Sequence, residues 1–151
     1  MSMQEYKKLI EDFCEAAEIE DVGGMLHRGL IDIDGTPARL QYVEAGDHCR
    51  VLADLGAVPD DLEADIHEIM LEFNFNNNSP ALPLFSMHPD TRHAVLLLHV
   101  PITGLVGQSS LAEMIDKELT PRVNRWVEML EEIRDTPSNN DDIQLPVGMF
   151  A

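Results

Sequence analysis

Apolar side chains recur at helical spacing along the first segment. Tyr6, Leu9, Ile10, Phe13, Cys14 and Ala17 follow an i, i+3, i+4, i+7 order, which puts them on one face. Ser2 followed by Glu5 fits a capping box, in which side-chain oxygens satisfy the free amides of a helix start. A helix is predicted over about 3–19, stopped by Asp21-Val22-Gly23-Gly24.

The period then changes to two. His27 to Ile33 carries Ile31 and Ile33 on one face and Asp32 on the other. Asp34-Gly35-Thr36-Pro37 and Ala45-Gly46-Asp47 are turn sequences, and they bracket two further strands, Ala38 to Glu44 and His48 to Asp54. Turns this short join antiparallel strands, since parallel ones need long crossovers. A hairpin centred on Gly35 and Thr36 sets Asp32 opposite Arg39.

Pro59 opens a second helix, with Asp60 and Asp61 in its first turn, where the helix dipole favours acids. Leu62, Ile66, Ile69, Met70 and Phe73 form its stripe, and Leu71 and Phe75 add further apolar surface near its end. Asn74 to Ser79 is a polar break. Ala81 to Met87 reads as a strand, either at an edge or irregular because Pro83 lacks a ladder donor. After His88-Pro89-Asp90, the run Ala94 to Val100 is almost continuously apolar, as in a central strand buried on both faces. Ser110 with Glu113 starts a third helix that reaches about Arg134, with a kink or break expected near Lys117 to Thr120 because Pro121 removes a donor. The predicted fold is α+β: a mostly antiparallel five-stranded sheet with three helices, in the order α-β-β-β-α-β-β-α, forming one domain over 1–135. Residues 136–151, rich in Pro, Asn and Asp, read as a mobile tail.

Charge changes the picture most. Ten Lys and Arg stand against 28 Asp and Glu, a net −18. Nucleic acid and anionic membranes are polyanions that need a basic footprint, so neither is an expected partner. No apolar run is long enough to span a bilayer. The opening residues lack the basic-then-apolar order of a secretory signal, so the expected compartment is the cytoplasm. Cys14 and Cys49 form no CxxC pair and fall in apolar patterns, where each reads as a small core residue.

The chain shows little catalytic chemistry. Its six histidines have no HExxH or paired spacing, and His48, His93 and His99 read as surface or core residues. Asp32-x-Asp34-Gly35 starts like a calcium loop but lacks the remaining ligands. Gly104-Leu105-Val106-Gly107 has neither a P-loop lysine nor a dinucleotide fingerprint. No GxSxG nucleophile elbow occurs. No metal, no cofactor and no catalytic residue is therefore expected, and the chain is not read as an enzyme. Two alternatives stay open: a small acidic enzyme with an unrecognised site, and an acidic adaptor or regulator that mimics nucleic acid.

Three stretches carry a resemblance. Tyr6-Lys7-Lys8-Leu9-Ile10-Glu11-Asp12-Phe13-Cys14 is similar to the N-terminal helix of class I type III secretion chaperones, the Tir-chaperone family. Ile69-Met70-Leu71-Glu72-Phe73-Asn74-Phe75 resembles the end of that family's second helix, and Val123-Asn124-Arg125-Trp126-Val127-Glu128 its tryptophan-bearing last segment. Leu82 to Met87 and Ala94 to Val100 match the strands between them. Pro121 and the Asn-rich break depart from the pattern. The resemblance implies a homodimeric chaperone of the bacterial cytosol that acts without ATP. Its partner is the N-terminal segment of a secreted effector or translocator, held non-globular and ready for export.

On that reading the partner contacts the first helix and the first three strands, at Tyr6, Ile10, Phe13, Ile31, Ile33, Leu40, Tyr42 and Leu52. At least one of the sets Ile31/Ile33 and Leu40/Tyr42 is expected to look outward. The stripe Leu62, Ile66, Ile69, Met70 and Phe73 is the expected dimer interface.

Overall fold

A computed structural model describes residues 2–102 and 111–135. Helix α1 spans Ser2–Ala16 and α2 spans Val22–Arg28. Strands β1 (Leu30–Ile33), β2 (Thr36–Val43) and β3 (His48–Gly56) follow. A 3-10 turn at Asp60–Leu62 leads into α3 (Glu63–Asn76), then β4 (Leu84–Met87) and β5 (Ala94–Pro101). The chain closes with α4 (Leu111–Met114), a π-helical turn (Ile115–Leu119) and α5 (Thr120–Asp135). Ser110, the Gly104–Gly107 turn and the stretch 136–151 lie outside the described residues.

The fold is α+β, and its five strands form one antiparallel sheet in the order β1-β2-β3-β5-β4. The helix count differs from three. The residues expected to end α1 and begin a strand instead build α2. Asp21 caps it by accepting from the Gly24 amide at 2.9 Å, and Gly29 ends it with a left-handed φ of 64°. Only Leu30–Ile33 of the first expected strand is extended. The glycines of Asp21-Val22-Gly23-Gly24 look like a stop signal in sequence, yet Asp21 uses them as the first turn of a new helix.

The first hairpin turns on Asp34 and Gly35, whose φ values are 49° and 93°. This two-residue turn with both residues at positive φ suits the right-handed twist of a hairpin. It sets Asp32 opposite Pro37 and Leu30 opposite Arg39, so the expected Asp32–Arg39 pair does not form. Asp32 instead accepts from the Gly35 amide at 2.9 Å and closes the turn.

β4 lies at the sheet edge, with Pro83 just ahead of it. Asn74 of α3 grips this edge, donating to the Phe85 carbonyl and accepting from the Phe85 amide, both at 2.9 Å. The last helix is interrupted just ahead of Pro121, as expected. The chain widens through the π-helical turn and the Thr120 amide bonds Ile115, one residue further back than in an α-helix. α5 then starts afresh, with Pro121 in its first turn, where a missing donor costs little.

Residues directly opposite in an antiparallel pair share a face. By register, Ile31, Ile33, Ala38, Leu40, Tyr42, Cys49, Val51, Ala53, Phe85, Leu96, Leu98 and Val100 all lie on one side. That side is the core, packed with Tyr6, Ile10 and Phe13 of α1, Ile66 and Phe73 of α3, and Val123 and Trp126 of α5. Phe85 joins the last two groups: its ring lies 4.9 Å from Phe73 and 5.6 Å from Trp126.

Candidate functional site

Among the described residues, no helical side chain of the core cluster packs on the opposite side of the sheet, which is built in rows across the strands. Leu30, Arg39, Leu52, Leu97 and Leu84 form one row, each opposite the next. Gln41, Arg50 and His99 form the second row, and Val43, His48 and Pro101 the third. Leu30 is 57% exposed, Leu52 and Leu97 are half-buried, and Arg39 is exposed. The turn at 88–91 rises beside Val95, and with the first row it encloses a shallow groove of 590 Å³.

The polar groups of this face are mixed: Arg39 and Arg50 share it with Asp32, Asp54, Gln41, Ser86 and two histidines. The Arg50 guanidinium donates twice to the Gln41 side-chain oxygen, at 3.1 and 2.6 Å. The His48 and His99 rings meet edge-on, 4.9 Å apart. Partial burial, His48 and Arg50 together hold the His99 pKa below the usual histidine value. Asp54 closes one end, where it pairs with His93 at 3.0 Å and accepts from the Gly56 amide.

A second apolar surface lies on α3. Leu71 is 69% exposed and Phe75 88%, one helical turn apart. They point away from Ile66, Met70 and Phe73, which are buried against the sheet.

These positions correct the residue-level expectations. Tyr6, Ile10, Phe13, Ile33 and Leu40 are buried in the core, with Ile31 and Tyr42 packed against it. Ile31/Ile33 and Leu40/Tyr42 share the covered face, because the Asp34-Gly35 turn sets Ile31 opposite Ala38 and Ile33 opposite Thr36. Among the eight, only Leu52 lies on the open side. The α3 stripe Leu62, Ile66, Ile69, Met70 and Phe73 is likewise buried within one chain. Sequence reasoning missed Leu30, Arg39, Arg50 and Leu97. The alternation of β2 and β3 held a signal for them, since two arginines recur on the face opposite Leu40 and Val51.

Among the described residues, no group of three or more His, Cys, Asp or Glu is placed to hold a metal. No helix among them is long and apolar enough to cross a membrane. No protein-family model and no curated protein matches this chain.

Proposed function

We propose that the protein is a secretion-chaperone-type binding protein. It dimerises through α3 and holds an N-terminal segment of a secreted effector or translocator in the bacterial cytosol, without ATP and without a catalytic step. The observation that supports this reading is the apolar surface left open on so acidic a chain: the Leu30–Leu52–Leu97 row and the Leu71/Phe75 ridge. Contiguous apolar surface on a soluble chain marks a contact with another molecule. Net charge of this size favours the solubility of a chain that exposes such a surface. The sheet face offers separate apolar positions to the alternate side chains of an extended client.

The test is capture from a bacterium that secretes proteins, with the full chain as bait and partners identified by mass. The expected partner is a secreted protein retained through its first residues. Leu52→Asp bait that stays folded is expected to lose it. Retention of the same partner by that bait, or the absence of any secreted protein, rejects the reading.

A further inference from the structure

We infer that the chain's own segment Asp141–Phe150 docks on the open face of the sheet, across the Leu30–Arg39–Leu52–Leu97 row, and so competes with any other occupant. Two observations meet here. On the sheet, Arg39 interrupts the apolar row and Arg50 lies beside it, in a groove that Asp54 and Asp90 also line, and among the described residues neither arginine pairs with a carboxylate. In a chain with 28 acids, two unpaired arginines on one half-apolar face suit an acidic and apolar ligand.

In the sequence, such a ligand follows α5. Asp141 and Asp142 precede Ile143, Leu145, Val147 and Met149, which alternate with Gln144, Pro146 and Gly148. An extended segment presents all four apolar side chains on one side. Pro146 has no amide to offer a sheet edge, which favours lying on the face over adding a strand. Reach is ample: residues 136–151 span about 50 Å when extended, and the five-strand row is about 19 Å wide. A tethered segment acts at an effective concentration of roughly millimolar, which favours it over a second copy at this face. The inference does not depend on the proposed function, since it concerns the purified chain alone.

The experiment places a photo-crosslinking benzoylphenylalanine at the exposed position 30 of the full chain. Heavy- and light-isotope copies are mixed before irradiation. The expected products join position 30 to peptides within 141–150, and only within copies of one isotope. Arg39→Glu, at an exposed site that leaves folding intact by circular dichroism, is expected to lower the yield about ten-fold. Adding Asp142→Arg to Arg39→Glu restores it. Mixed-isotope products, no product with 141–150, or a yield unmoved by Arg39→Glu each overturn the inference.

Discussion

Ser79 donates its hydroxyl to the buried carboxylate of Glu118 at 2.8 Å, tying the loop after α3 to the π-helical turn. Arg122 completes the site. Its guanidinium bonds the Glu118 carbonyl at 2.7 Å and the carboxylate at 3.3 Å, and lies 5.6 Å from the Phe73 ring centroid. Glu118 thus reaches the loop after α3 while Arg122 lies against Phe73 of α3 itself.

Removing Arg122 strands a buried charge. Arg122→Met is expected to cost about 3 kcal/mol, because the carboxylate loses its counter-ion without regaining water. Glu118→Gln, which keeps an acceptor for Ser79, is expected to cost about 1 kcal/mol. Urea unfolding of both variants checks the order, and equal losses would show that the pair is not coupled.

Gly29 carries α2 into β1 at a left-handed φ of 64°, and its carbonyl accepts from the Leu40 amide at 2.7 Å. A Cβ there runs into the Leu40 carbonyl. Gly29→Ala combines that clash with a left-handed backbone cost of about 1–2 kcal/mol. At Gly35 a Cβ meets open space, so Gly35→Ala bears the backbone cost alone. Thermal unfolding is expected to rank Gly29→Ala as clearly the less stable variant.

Stability falls at both ends of the pH range. Burial pushes the Cys49 thiol up to about 12, and raises Tyr6 as well. A group whose folded pKa is raised keeps its contribution below the unfolded value, so stability is lost as pH climbs from about 9 to 12, at about 1.4 kcal/mol per unit for one fully linked group. His99 shifts the other way, so its contribution is lost as pH falls below the ordinary histidine value. Denaturant midpoints measured across pH are expected to plateau between these limits, and His99→Gln to remove part of the acid slope. Cys14 and Cys49 are both buried, so alkylating reagents at pH 8 are expected to label neither until the chain unfolds. Rapid labelling of the folded chain would contradict this burial.

Phe75 tests the dimer. It is 88% exposed and outside the core of its own chain, so Phe75→Asp is expected to leave the monomer folded by circular dichroism. Light scattering at micromolar concentration is expected to show a dimer for the parent chain and a monomer for Phe75→Asp. Phe73→Asp, at a core position, is expected to unfold the chain instead, by burying an unpaired charge. A monomeric parent chain rejects dimerisation through α3.

The sequence alone carried the α+β class and most element positions, which depend on local periodicity; β4 does lie at the edge, but Pro83 falls ahead of it, so a missing ladder donor is not the reason. The sequence also marked the apolar stripes, because the helical and strand periods are written into residue spacing. What it could not carry was the partner of each stripe. Ile31 and Leu40 were legible as apolar, but their common face followed from a register fixed by positive φ at Asp34 and Gly35. The stripe of α3 was legible too, but only packing against Phe85 and the sheet made it core and left Leu71 and Phe75 outside. The open row of Leu30, Arg39, Leu52 and Leu97 draws on four strands and exists only once they are in register. Spacing along one chain determines which side chains share a face. Which face is covered depends on contacts between residues far apart in sequence, and tertiary structure alone decides that.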